Sequence, residues 1–146
     1  MKKEKSAGCF VLNKNNEVLL INRVWPNGED TIAAPKGHQD PGENIKETAI
    51  RETTEETGYT DISIIPGLNL ESETYQPKPG YVKTVYWFLA RLNSDKQVPL
   101  NLTKEELDSK TDVIWLSLDK AEQDLSFKIQ RWNVKKIKEY LFKSQE

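Results

Sequence analysis

Glu43, Glu47, Glu52, Glu55 and Glu56 crowd around a single arginine, Arg51, inside the stretch GHQDPGENIKETAIRETTEETGY that runs from Gly37 to Tyr59. If the stretch is helical, 100° per residue brings Glu52, Glu55 and Glu56 within roughly 100° of one another on the circumference. Carboxylates so close repel one another, and like-charge pairs at i,i+4 already weaken a helix. A cation is therefore expected among them. Hard oxygen donors on one face suit Mg²⁺ or Mn²⁺, which keep several waters and complete their shells with substrate phosphates. Such an ion makes a water nucleophilic and neutralises phosphate oxygens. A glutamate not fully engaged with metal can accept the water's proton. A merely solvated acidic helix would share this composition, so its phase and surroundings must separate the two.

The helix is framed by its own end signals. Asn44 can cap the N-terminus with Glu47 closing a capping box, and Gly58 stands where a left-handed C-terminal cap belongs. Ile45, Ala49, Glu52 and Glu56 are spaced i, i+4, i+7, i+11, so two carboxylates continue the apolar stripe that should face the core. An unpaired carboxylate there is costly, a local conflict typical of functional sites. Before the helix, residues 7–13 and 17–24 read as strands joined through Lys14, Asn15 and Asn16. Trp25-Pro26-Asn27-Gly28 is a turn, and Thr31–Ala34 leads into Pro35-Lys36-Gly37. After it, Asp61–Ile65, Leu70–Tyr75, Tyr81–Leu92 and Asp112–Leu116 read as strands, with Gln76–Gly80 a rigid loop. Phe127, Val134, Ile137 and Leu141 form the apolar stripe of a last helix, interrupted by Gln130. Lys128, Arg131, Lys135 and Lys138 gather on a neighbouring face, while Ile129 and Trp132 point away. Strands interleaved with few helices predict an α/β sandwich.

The Gly37–Tyr59 stretch resembles the Nudix hydrolase signature, G-x5-E-x7-R-E-U-x-E-E-x-G-U. Gly37, Glu43, Arg51, Glu52, Glu55, Glu56 and Gly58 fall in place, while Thr53 and Tyr59 occupy the usually aliphatic U positions. The resemblance implies an α/β/α sandwich with a mixed β-sheet and a loop–helix–loop catalytic motif. It also implies that the Gly37 carbonyl joins Glu52, Glu55 and Glu56 as a metal ligand, and that Arg51 orients the carboxylates by pairing with Glu43. The family does not use one fixed glutamate as base, so that choice stays open. An acid at Glu105 or Glu106 could complete the shell, against a plain solvated helix start after Asn101-Leu102-Thr103.

Flanking residues narrow the resemblance to the branch that hydrolyses diadenosine tetraphosphate. Pro35-Lys36-Gly37-His38, Lys83-Thr84-Val85-Tyr86-Trp87-Phe88 and Trp115-Leu116 with Leu118 and Ala121 resemble its motifs. By that analogy Lys36, His38 and Lys83 contact the polyphosphate. Stacking on a base favours aromatic faces; the candidates are Tyr75 and Tyr81, which are preferred, and Phe127 with Trp132 near the last helix. Phe127 also belongs to the apolar stripe and is expected in the core instead, as is one of Trp87 and Phe88. Departures fall at Ile32, where the branch commonly has Trp, at Ala34, and in the longer, charged segment Lys104–Lys110. The expected reaction is Mg²⁺-dependent cleavage of diadenosine tetraphosphate to ATP and AMP. The alternatives are a nucleoside triphosphate pyrophosphohydrolase, a 5′-end RNA pyrophosphohydrolase and a non-catalytic nucleotide-binding domain.

Composition agrees. The 146 residues suit one domain spanning 1–146, and a net charge of −2 gives no support to a general nucleic-acid or membrane binder. One cysteine, Cys9, excludes an intrachain disulfide and fits a reducing compartment. No run approaches the ~20 apolar residues of a membrane span, and the N-terminal apolar run is too short for a signal peptide. A cytoplasmic protein is expected; oligomeric state is not legible.

Overall fold

A computed structural model of the chain describes residues 1–144. Its frame is a mixed sheet with strands in the order β3-β2-β1-β7-β5 and three further strands paired onto it. In chain order the elements are β1 (Lys2–Leu12), β2 (Glu17–Val24), β3 (Asp30–Ala33), β4 (Lys36–His38) and α1 (Ile45–Thr57). There follow β5 (Ile62–Ile64), β6 (Glu73–Tyr75), β7 (Tyr81–Leu92), α2 (Lys104–Leu107), β8 (Lys110–Ser117), α3 (Leu118–Asp124) and α4 (Lys128–Ser144).

β1 is the spine. Its side chains alternate between two cores, as a strand buried on both faces requires. Phe10 and Leu12 join Leu20, Trp87, Leu89, Val134 and Ile137 on the side covered by α3 and α4. Ala7, Cys9 and Val11 join Leu19, Ala49 and Ala90 beneath α1. This is the α/β/α sandwich expected from the sequence. At the β1–β2 turn, Asn13 Oδ1 accepts from the backbone N–H of Asn15 and Glu17, and Asn16 takes φ 56°, a left-handed conformation that asparagine tolerates.

Several boundaries differ from expectation. β1 starts at Lys2 rather than near residue 7, because Lys2–Leu12 runs parallel to Tyr81–Arg91 in unbroken register. Backbone pairing carries that extension; the charged side chains of KKEK give no apolar period to read. The strand expected over Leu70–Tyr75 shortens to Glu73–Tyr75, and Leu70 instead packs against the α4-side core. β8 is longer than Asp112–Leu116, because it pairs with the whole of β2 from Glu17↔Ser117 to Val24↔Lys110. Ile129 does not point away from the core but packs against it.

The polar interruptions of the last helix are clamps. Gln130 Oε1 accepts from the Ala34 backbone N–H at 2.8 Å, fixing the chain entering Pro35-Lys36-Gly37. Buried Asn133 accepts from the Glu71 N–H and donates to the Glu71 carbonyl, at 2.8 and 3.0 Å. Each satisfies backbone groups that would be costly to bury unpaired. Among the described residues no helix is long and apolar enough to cross a membrane.

Candidate active site

α1 begins and ends as its sequence requires. Asn44 Oδ1 accepts from the Glu47 N–H while Glu47 Oε1 accepts from the Asn44 N–H, both at 2.9 Å, and Gly58 caps the other end at φ 84°. Thr48, Ala49 and Thr53 are buried against the sheet, so Glu52 and Glu56 are carried inward with them. Two glycines let β4 lie close to β1 on one side and to this helix on the other. A Cβ on Gly8 would meet the Pro35 carbonyl oxygen at 2.1 Å, and one on Gly37 would meet Glu52 Oε2 at 1.9 Å. At Gly8 the backbone leaves no room for a side chain, and at Gly37 one would displace the Glu52 carboxylate.

Arg51 is the hub of the acidic cluster. Its Nε and Nη2 fork onto the Glu43 carboxylate, and Nη2 also donates to the His38 carbonyl at 2.7 Å. Nη1 donates to Glu52 Oε1 at 2.7 Å and to Glu55 Oε2 at 3.0 Å. The pairing of Arg51 with Glu43 implied by the motif is present, and it orients two of the three helix carboxylates as well. Hydrogen bonds from this guanidinium hold the Glu43 carboxyl down at about 2. Glu52 moves the other way, because burial outweighs its bonds to Arg51 and Glu55 lies beside it.

Glu56 is the most enclosed carboxylate of the cluster, only 5% exposed. Burial, then repulsion from Glu106 and the sharing of a proton with it, push its carboxyl up to about 8. Glu56 Oε1 accepts from the Lys36 N–H at 3.0 Å. Its other neighbour is Arg23 on β2, whose Nη2 lies 3.5 Å from Glu56 Oε2 and whose Nη1 lies 3.5 Å from Glu106 Oε2. Burial also disfavours charge on Glu106, but hydrogen bonds from Thr103 and the shared proton of Glu56 hold its carboxyl below the ordinary value. Glu106, not Glu105, therefore faces the motif helix. Sequence reasoning missed Arg23. The one available signal was the polar pair Asn22-Arg23 interrupting the apolar run of β2.

A divalent ion can be tested against these donors. Among the described residues no three acidic, histidine or cysteine side chains surround a common point as ligands. Glu52 and Glu55 converge instead on Arg51 Nη1, and Glu56 turns toward Arg23. The chemistry nonetheless fits. The donors are hard oxygens, Gly37 backbone lies flush against Glu52, and the raised carboxyls of Glu52 and Glu56 are groups that a nearby cation would ionise. An ion held here competes with two guanidinium groups for the same oxygens.

Beside the carboxylates lies a cationic patch. β4 pairs with β1 (Gly8↔Lys36, Ser6↔His38), while Lys83 on β7 sits opposite Glu4 of β1 and Tyr75 of β6. The three groups feel one another. His38 is lowered by partial burial and then by the charges of Lys83 and Lys36, and Lys83 is lowered by burial and then by Lys36. The structure thus brings Lys36, His38, Lys83 and Tyr75 together. Tyr81 is not brought to them: its ring lies under Lys78 Nζ at 4.1 Å and Lys2 Nζ at 5.7 Å, and it walls neither cavity beside Lys36. Those cavities, of about 340 and 240 Å³, share two residues, Lys36 and Phe127. Phe127 was expected in the core; it is 45% exposed, because α4 begins one residue later and leaves its ring at the site. Trp87 is the core aromatic of its pair, tilted against Phe10 at 5.1 Å.

The NUDIX domain family matches residues 2–139. A mouse protein named bis(5′-nucleosyl)-tetraphosphatase [asymmetrical] is 39% identical over 119 residues, covering 80% of this chain and 74% of that one. A Caenorhabditis elegans protein of the same name is 34% identical over 100 residues, 66% of this chain and 71% of the other. The crystal structure of a C. elegans Ap4A hydrolase binary complex superposes with a TM-score of 0.74 at 29% identity, covering 94% of this chain and 97% of that one.

Proposed function

We propose a function from a plain premise: this chain belongs to the NUDIX domain family. It is a Nudix hydrolase, and its reaction is the asymmetric hydrolysis of a dinucleoside tetraphosphate, diadenosine tetraphosphate giving ATP and AMP. Relatives that carry this activity in their names support the substrate. The single observation that carries the reading is the abutment of two opposite patches, Glu52, Glu55 and Glu56 on one side and Lys36, His38 and Lys83 on the other. The pairing suits a substrate that is a chain of phosphates with a water to be activated beside it.

Members of this family generally use divalent ions, and Mg²⁺ held by the Gly37 carbonyl, Glu52, Glu55 and Glu56 would neutralise phosphate oxygens and acidify a water. The chain's own groups do the rest. Lys36 and Lys83 bind phosphate as point charges, and His38, exposed at the end of β4, donates to a phosphate oxygen. Arg51 keeps Glu52 and Glu55 aimed at one point. Water oxygen attacks a phosphorus, the bond to the bridging oxygen breaks, and the water's proton passes to a carboxylate. Glu56 can take that proton only once a bound cation has ionised it, because burial and Glu106 otherwise keep its carboxyl protonated. Tyr75, facing Lys83 across the β6–β7 pair, stacks on one base.

The test is a substrate panel with Mg²⁺ in H₂¹⁸O, comparing diadenosine tetraphosphate, nucleoside triphosphates and triphosphorylated RNA. Cleavage of the dinucleotide with ¹⁸O in a nucleotide product is expected. Faster cleavage of nucleoside triphosphates overturns the substrate claim.

A further inference from the structure

We propose that the cavity walled by Trp25 and Phe127 receives the monophosphate-side nucleoside of the dinucleotide, while the Tyr75 cavity receives the triphosphate-side one. The inference rests on the dinucleotide reading above and adds where the second base goes. The larger cavity, about 340 Å³, opens between β2, the Trp25–Gly28 turn and the start of α4. Trp25 is fixed there: its Nε1 donates to Thr31 Oγ1 at 3.3 Å, and the Arg23 guanidinium lies 5.3 Å from its ring centroid. A ring held in this way loses little freedom when a base stacks on it, so the stacking free energy is retained. Phe127 lines the same cavity with an exposed ring.

Three relations tie this cavity to the reaction. It shares Lys36 with the Tyr75 cavity, so a polyphosphate running past Lys36 can carry a nucleoside into each. It shares Phe127 as well. Only the Trp25 cavity has Glu56 in its wall, whereas the Tyr75 cavity is bounded by Glu73, Trp87 and Gln130. The nucleoside beside Glu56 is therefore the one nearest the bond that breaks. Water adds to its α-phosphorus, the anhydride bond to the bridging oxygen breaks, and a triphosphate leaves toward Tyr75. The asymmetry of the products follows from the asymmetry of the two cavities.

Product binding tests this directly, measured by calorimetry on the full chain with Mg²⁺. Trp25→Ala should weaken AMP and raise KM for diadenosine tetraphosphate, each about tenfold, within the ~5- to 150-fold range of losing one stacked base. ATP binding should change less than about twofold, and Tyr75→Ala should show the converse, weakening ATP and sparing AMP. Trp25→Phe, which keeps an aromatic face, should hold AMP within about threefold, and serves if the alanine variant folds poorly. Unchanged AMP affinity in a folded Trp25→Ala, or equal weakening of AMP and ATP, overturns the assignment. A wild-type enzyme that binds AMP in this pattern yet leaves diadenosine tetraphosphate intact overturns the substrate reading and not the cavity.

Discussion

Replacing Glu56 by Gln separates what this carboxyl does for folding from what it does for chemistry. In the metal-free protein burial and Glu106 push its carboxyl up to about 8, so at pH 7 it is already mostly neutral. Glutamine matches that neutral form, and its amide oxygen can still accept from the Lys36 N–H. Stability near pH 5 should therefore change by less than about 1 kcal/mol. The pH dependence should change sharply. Between the ordinary glutamate value and about 8, folded wild-type protein holds a proton that the unfolded chain has released. Its stability therefore falls as pH rises through that window, at up to ~1.36 kcal/mol per unit for one group. The full window would amount to a few kcal/mol, less whatever Glu106, shifted the opposite way, returns. Urea unfolding in EDTA from pH 5 to 9 reads this as a declining wild-type curve and a flatter variant curve. The same variant, assayed with Mg²⁺, should lose about 10³-fold or more in kcat, as loss of a base or metal ligand implies. Parallel pH curves for the two proteins would refute the claim that Glu56 carries the displaced titration, and full activity would refute its place in the mechanism.

Other perturbations probe the supporting structure. Arg51→Lys keeps the charge but cannot serve Glu43, Glu52, Glu55 and the His38 carbonyl together; chemical denaturation should show a loss of about 2 kcal/mol and kinetics a kcat loss of ~10²-fold or more. Gly37→Ala drives a methyl into the Glu52 carboxylate; a stability loss of about 1–3 kcal/mol is expected, with activity falling further than folding. Gln130→Leu leaves the Ala34 N–H unpaired and should lower stability by about 1–3 kcal/mol, seen as a lower Tm. Cys9 is fully buried with its thiol pushed up to about 12; a thiol reagent at pH 8 should label it only after denaturant is added, and prompt labelling of native protein would contradict its placement.

What could be read from the chain depended on how local each cause was. The α1 caps, the glutamate phase and Gly58 act within a few residues, and they stand where the sequence put them. The tetrad Pro35-Lys36-Gly37-His38 and Lys83 also came together, because resemblance carries information on distant contacts that periodicity lacks. Phe127, expected in the core, lies at the site, and Tyr81, expected at the site, lies outside both cavities. An aromatic two residues along a strand from Lys83 looks equivalent to Tyr75, yet it lines neither cavity beside Lys36. Nothing in the order of residues announces that a helix will start one position after Phe127 and leave it facing a cavity.

By itself the sequence determined the capped helix, the three carboxylates on its core-facing edge, the arginine among them and the two-sided sandwich that must bury the rest. Those features follow from intrinsic periodicity and from capping groups that need only near neighbours. Tertiary structure alone decided that Arg23 and Glu106, eighty-three residues apart in number, meet at Glu56, and that Lys36 and Phe127 stand between two cavities. Such meetings are set by the pairing of β2 with β8 and by the placing of α4 on the sheet. Burial then supplies what no local rule can. Removing water from around Glu56 while a second carboxylate stays beside it keeps protonated a carboxyl that the bare sequence would leave charged.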